Sequence, residues 1–186
     1  MLASKSAKMA SYYAKLRVLP LFVIALFFIN QPAEASHLVG GDLSVDRLDS
    51  NRYEITLNYF FDCGGNPGAF ASDTPPTVNY ESAKCGQSGS TNLSSIKGTG
   101  KDIAPICAKR SSRCQAGNTK GIQNWKFRDT VTLPQQCTDW KFYWYESARS
   151  EAITTLQNPG NESLYLEAKI NNDSFPDNNV PEFTNS

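Results

Sequence analysis

From Tyr53 to Phe61 the chain alternates with a period of two. Tyr53, Ile55, Leu57, Tyr59 and Phe61 fall on one parity, and Arg52, Glu54, Thr56, Asn58 and Asp62 fall on the other. Such alternation predicts a strand with one face in a core and the other in water. Trp125, Phe127, Val131 and Leu133 repeat the pattern against Lys126, Arg128, Thr130 and Thr132. Leu164, Leu166, Ala168 and Ile170 repeat it against Tyr165, Glu167 and Lys169. Weaker strands are expected at Asp42 to Leu48, Thr77 to Ser82 and Ser94 to Lys97. Between them, Gly64 to Gly68, Thr74-Pro75-Pro76, Gly86 to Thr91 and Asn158-Pro159-Gly160 carry turn chemistry. A short helix fits Ser147 to Leu156. Short strands with Gly/Pro/Asn punctuation and no βαβ alternation predict an all-β fold, an antiparallel Ig-like β-sandwich.

The segment Asp139 to Glu146 carries the heaviest aromatic load. Trp140, Phe142 and Trp144 share one parity, while Lys141, Tyr143 and Tyr145 share the other. The first set belongs in the core, since each large aromatic removes ~150–250 Å² from water. The second set leaves two tyrosines on the opposite face. Together with Tyr165 they are candidates for a ligand platform that stacks sugars or grips a partner. The plainer reading is that cross-strand aromatic pairs stabilise a sheet face.

Residues 1–35 read as a cleavable signal peptide: Lys5, Lys8, Lys15 and Arg17 form a basic stretch, Val18 to Ile29 an apolar one, and Ala33-Glu34-Ala35 a small-x-small cleavage site. The apolar run is shorter than the ~20 residues a membrane span needs. Cleavage is therefore expected between Ala35 and Ser36, giving one β-sandwich domain over residues 36–186 with no membrane insertion after cleavage. Residues 1–35 hold four of the eighteen basic residues and one of the eighteen acids, so the mature chain carries a small net negative charge. That balance offers no footprint for nucleic acid or an anionic membrane surface.

Five cysteines, Cys63, Cys85, Cys107, Cys114 and Cys137, lie after the signal, where an oxidising compartment lets them pair. Loop entropy favours closing the short Cys107–Cys114 loop first, with Cys63–Cys85 next. Zinc is set aside, because six residues separate Cys107 from Cys114 and no second Cys/His pair follows.

Little in the chain suggests catalysis. The single histidine is His37, and no Gly-x-Ser-x-Gly, His-Glu-x-x-His or phosphate loop is present. Scattered acids leave a glycoside hydrolase-like enzyme as a third reading, behind a binding module and a carbohydrate-binding module. No cofactor is expected. Asn171, Asn172, Asp173, Asp177, Asn178 and Asn179 offer oxygen ligands for Ca²⁺, with Asp173 and Asp177 the charged members, but the same residues are common in turns.

Ser36-His37-Leu38-Val39-Gly40-Gly41-Asp42, Arg52 to Leu57 and Asp62-Cys63 open the mature chain. Val131-Thr132-Leu133-Pro134, Cys137-Thr138-Asp139-Trp140, Ala152 to Leu156, Ala168 to Asn172 and Val180 to Asn185 follow in order. This succession resembles the opening domain of adhesin-like, gliding-motility-associated multidomain surface proteins of gliding bacteria. The resemblance implies a bacterial, secreted or cell-surface module that is non-catalytic. Its partners would be other domains of a larger surface protein, or an extracellular protein or polysaccharide. The last ~10 residues would be a linker toward further β-domains. Where that family has an adjacent Cys-Cys pair, this chain has Ser147-Ala148, which implies that Cys137 has lost its partner.

Overall fold

A computed structural model describes residues 38–64, 75–107, 109–147 and 149–175. The signal segment, the glycine-rich stretch after Gly64 and the end of the chain lie outside these residues. Nine strands are formed among the described residues: β1 (Leu38–Arg47), β2 (Arg52–Asp62), β3 (Thr77–Ser82), β4 (Gln87–Asn92), β5 (Ser94–Ser95), β6 (Lys101–Asp102), β7 (Ile122–Thr132), β8 (Trp140–Glu146) and β9 (Leu164–Ile170).

They make two antiparallel sheets. One has the order β1-β2-β7-β5, with β6 also on β7, and the other has the order β4-β3-β8-β9. Strand order A-B-E-D facing C′-C-F-G is immunoglobulin topology, so the expected antiparallel Ig-like β-sandwich is the observed fold. The period-two faces meet between the sheets. Val45, Ile55, Leu57 and Phe127 come from the first sheet, and Val78, Trp140, Phe142 and Ile170 from the second, all buried.

Aromatic rings carry the contact across the layers. Tyr59 stacks on Trp144 with centroids 6.0 Å apart, and on Phe127 of its own sheet at 5.3 Å. Trp140 is fully buried, its ring 6.0 Å from that of Tyr80 and its indole N–H donating to the Gln135 carbonyl at 3.3 Å. The assignment of Trp140, Phe142 and Trp144 to the core therefore holds.

Three local expectations change. Gly86 to Thr91 is not only a turn: Gly86, with φ +62°, ends the turn, and Gln87–Asn92 continues as β4. An outermost strand has one neighbour and little to bury, so Gln-Ser-Gly-Ser-Thr-Asn shows no apolar parity. The described residues of Ser147 to Leu156 form turns and bends rather than a helix, and the segment is tethered to β1 near its start. The Ser150 N–H donates to the Leu38 carbonyl at 2.9 Å, and the Arg149 guanidinium donates to the Val39 carbonyl at 2.8 Å.

The disulfides are the third change. Cys107–Cys114 and Cys63–Cys85 do not form. The bonds are Cys63–Cys114 and Cys85–Cys137, with Cα atoms 5.0 and 6.3 Å apart, and Cys107 is free and exposed. Loop entropy ranks pairs in an unfolded chain, whereas strand register decides which cysteines meet in the fold. The β2–β7 register ends at Asp62 opposite Ile122, and the Cys63 N–H donates to the Gly121 carbonyl at 3.0 Å. Gly121 in turn lies against Cys114, whose Sγ is 2.6 Å from where a Cβ on residue 121 would sit. The β3–β8 pairing likewise brings the turn after β3, with Cys85, beside the segment before β8, with Cys137. Cys137 has therefore not lost its partner. Each bond closes a loop of 51 or 52 residues, worth about 4 kcal/mol in the chain-entropy account.

Two outcomes are expected. Trp140→Ala should cost about 3–5 kcal/mol in urea melts, out of a typical ~5–15 kcal/mol, and a loss under about 1 kcal/mol would place Trp140 at the surface. Non-reducing peptide mapping of exported protein should recover Cys63–Cys114 and Cys85–Cys137, with Cys107 alkylated before any reductant is added. A Cys107–Cys114 peptide would restore the short-loop pairing.

Candidate functional site

Because successive side chains on a strand point to opposite faces, burying Trp140, Phe142 and Trp144 turns Lys141, Tyr143 and Tyr145 outward. On β9 the same rule turns Tyr165, Glu167 and Lys169 outward, opposite Ala168 and Ile170 in the core. Register then brings the three tyrosines together. Tyr145 stands directly opposite Tyr165, and Tyr143 stacks on Tyr165 with centroids 6.2 Å apart and planes inclined by 27°. Tyr145 is 63% exposed and Tyr165 50% exposed, while Tyr143 is half-buried.

Ion pairs flank and orient the rings. The Lys141 ammonium lies 5.0 Å from the centre of the Tyr143 ring and 2.7 Å from Glu81 Oε1 of β3. The Tyr165 hydroxyl donates to Glu167 Oε2 at 2.8 Å, and Glu167 Oε1 lies 2.7 Å from Lys169 Nζ. These contacts hold each group in its charged or donating form. Hydrogen bonding to Glu167 pushes the Tyr165 hydroxyl up, the Lys169 hydrogen bond brings Glu167 down, and the Glu81 hydrogen bond pushes Lys141 up. All of them are at the surface, where such pairs add little to stability.

Beside the tyrosines the face is uncharged. Asn79 is the register partner of Tyr143, Ser90 is that of Asn79, and Thr77 donates to Asn92 Oδ1 at 2.7 Å. At the other end of β8 the face opens into a depression of about 520 Å³, lined in part by Glu81, Thr138, Asp139, Lys141, Lys169 and Asn171. Its wall is built by Asp139, which accepts from the Ser82 hydroxyl at 2.5 Å and the Lys84 N–H at 3.0 Å. The Ser82 hydrogen bond is the main reason the Asp139 carboxyl lies below its ordinary value.

Sequence reasoning named the three tyrosines as a platform and put Lys141, Glu167 and Lys169 on the same polar parities without assigning them to the site, and it singled out neither Glu81 nor Asn79. The parity of Thr77-Val78-Asn79-Tyr80-Glu81 carried a signal for β3, but the pairing of β3 with β8 did not show in it. Of the Ca²⁺ candidates, Asn171, Asn172 and Asp173 are among the described residues. Asn171 Oδ1 accepts from the Ser174 N–H at 2.8 Å, and Asn172 is buried and accepts from the Cys137 N–H at 2.8 Å. Asp173 is exposed, and Asp177 lies outside the described residues. Among the described residues no group of three or more His, Cys, Asp or Glu is placed to hold a metal ion. No family model, curated protein or solved structure matches the chain.

One acid is set apart. Glu146 follows Trp144 on the inward parity, and burial pushes its carboxyl up, partly offset by the Ser147 backbone N–H. Its charge joins burial in pushing the Tyr59 hydroxyl up. A raised folded pKa means that stability from this group is fully present below its unfolded pKa and is lost as pH rises through the folded value. Glu146→Gln should therefore melt higher than the parent at neutral pH. The gap should close as pH falls below the ordinary glutamate value of 4.5. A gap that widened on acidification would mean that Glu146 is stabilised as the anion.

Proposed function

We propose that the chain is an exported, non-catalytic, adhesin-like recognition module of the bacterial cell surface, binding through the outer face of the β4-β3-β8-β9 sheet. The observation that carries this reading is the tyrosine cluster on the outward face of the sheet, with Tyr145 and Tyr165 exposed and the rings braced by ion pairs. The outer face of the other sheet offers a contrast. It presents Asp42, Thr56, Asn58, a half-buried Phe60, Lys126 and Arg128, a mostly polar set without a cluster of tyrosines, with Asn58 bonded to Asp42 at 2.8 Å and Arg128 near Glu54 at 3.4 Å. A spacer would need only the second kind of surface.

Export is supported by the signal pattern of residues 1–35 and by two disulfides, which persist in oxidising compartments. Among the described residues no helix is long and apolar enough to cross a membrane. The resemblance to the opening domain of gliding-associated surface proteins agrees with this placement. A hydrolase reading gains nothing from the outer face. Its acid Glu167 is held low by its partners, while glycoside hydrolysis requires a general acid with a raised pKa.

The test begins with full-length chain expressed in an exporting bacterium. Exported material should begin at Ser36. Beads coated with it should be retained by at least one immobilised extracellular polymer, protein or polysaccharide, and the double variant Tyr145→Ser/Tyr165→Ser should lose most of that retention while keeping the parent's melting temperature. Equal retention of parent and variant would move binding off this face and overturn the reading, and retention of neither would reduce the domain to a spacer.

A further inference from the structure

Resting on that recognition face, we infer that its ligand is an extended, neutral polysaccharide. The chain would lie along β8, with pyranose rings against Tyr143, Tyr145 and Tyr165 and one end in the depression beside Asp139.

Charge is the first reason. Four ionised side chains project from the middle of this face, and they are two acids and two bases already joined: Lys141 with Glu81, and Lys169 with Glu167. A polyanion meets Glu81, Glu167 and Asp139 before it can use either lysine, and a polycation meets the reverse. Nucleic acid recognition needs Lys or Arg free to neutralise phosphates, and the two lysines of this face are committed. A neutral ligand loses nothing to these pairs.

The second reason is the kind of contact on offer. A pyranose ring has a face of C–H groups and a rim of hydroxyls. The tyrosine rings supply the flat apolar partner, since a ring face is negative and a C–H edge positive. Asn79, Ser90, Thr77 and Asn92 supply amides and hydroxyls on the neighbouring strands, able to donate and accept as sugar hydroxyls require. A peptide asks for something else. Strand addition would take place at the sheet edges, β4 or β9, whereas Tyr143 and Tyr145 stand on β8, which is interior and hydrogen-bonded to β3 on one side and β9 on the other. Side-chain anchoring needs apolar sockets, and none of the outward residues of β8 and β9 is aliphatic.

The third reason is continuity. Lys141 lines the depression and also lies over the Tyr143 ring. Tyr143 stacks on Tyr165, which faces Tyr145. The track from Asp139 to Tyr145 is roughly 20 Å at the rise of a strand, room for several linked sugar rings.

Affinity electrophoresis in native gels tests this with the exported chain and three neutral polymers, hydroxyethylcellulose, galactomannan and dextran, against alginate and double-stranded DNA. Retardation is expected in at least one neutral gel. It should be unchanged when NaCl rises from ~0.05 M to ~0.5 M, a change that shortens the Debye length several-fold. Tyr145→Ala and Tyr165→Ala should each weaken binding roughly 3- to 10-fold, the scale of one ring contact, while Tyr165→Phe, which keeps the ring and loses only the hydroxyl that Glu167 fixes, should weaken it less than Tyr165→Ala. Lys126→Ala on the other sheet is the control, and melting curves verify that each variant folds. Salt-sensitive retardation by alginate or DNA alone, neutral binding indifferent to both tyrosine truncations, or no retardation in any neutral gel would overturn the inference. A chain held by immobilised protein through the same tyrosines, but by no glycan, would overturn it and leave the recognition face standing.

Discussion

The packing of Trp140, Phe142 and Trp144 into the core, with Trp144 stacked on Tyr59 across the layers and Trp140 and Phe142 against Tyr80 of their own sheet, is the constraint on which the rest of the molecule depends. Three large aromatics at i, i+2 and i+4 admit one orientation of β8. A slip of one residue would put two tryptophans in water and a lysine in the core. Once that orientation is set, Lys141, Tyr143 and Tyr145 have no choice but the outer face, and the β8–β9 register delivers Tyr165 and Glu167 beside them. The proposed recognition face is thus the reverse side of the core.

The ends of the sandwich are held differently from its middle. Near Tyr59 and Trp144, Asp62 accepts from the Ser150 hydroxyl at 3.2 Å, and the Cys63–Cys114 bond ties β2 to the excursion before β7. That excursion is organised by Asp102, which accepts from the Ser112 hydroxyl and from the Ala104 N–H, with the Ser112 hydrogen bond the main cause of its lowered pKa. Near Trp140, Cys85–Cys137 joins two turns, and Asn172 is bonded to Cys137 in both directions, at 2.8 and 3.2 Å. Buried apolar area holds the centre, while covalent and polar clips hold the loops. Thr138 and Asn171, which line the depression, sit among the clips of the second kind.

The parts of this structure that the chain announced are those where burial imposes a period. β2, β7, β8 and β9 alternate because one face of each is dry, and the sandwich class, though not its strand order, follows from short strands and turns. β4 stayed hidden as an edge strand with nothing to bury. The disulfides were misread because spacing measures the cost of closing a loop in the unfolded chain, while β2–β7 and β3–β8 register measures proximity in the native one. The platform was half legible. Tyr143, Tyr145 and Tyr165 could be named from parity, but Glu81 and Asn79 join them only through pairing across sixty residues of sequence, which no local pattern encodes.

Cross-strand aromatic pairs add about 0.2–1 kcal/mol to a sheet, so stability alone could account for one exposed tyrosine pair. It accounts less well for how these rings are held. Tyr165 is fixed at its hydroxyl by Glu167, Glu167 is fixed by Lys169, and Tyr143 is covered by an ammonium that is itself fixed by Glu81. As surface ion pairs these contribute little to folding. Their larger consequence is for association, where each rotamer-rich side chain immobilised on binding costs about 0.5–1.5 kcal/mol. Rings already braced in the free protein avoid most of that cost. In the proposed recognition role, the charged residues would act on affinity by holding the tyrosines in place, so four ions at the centre of the face are compatible with a neutral ligand.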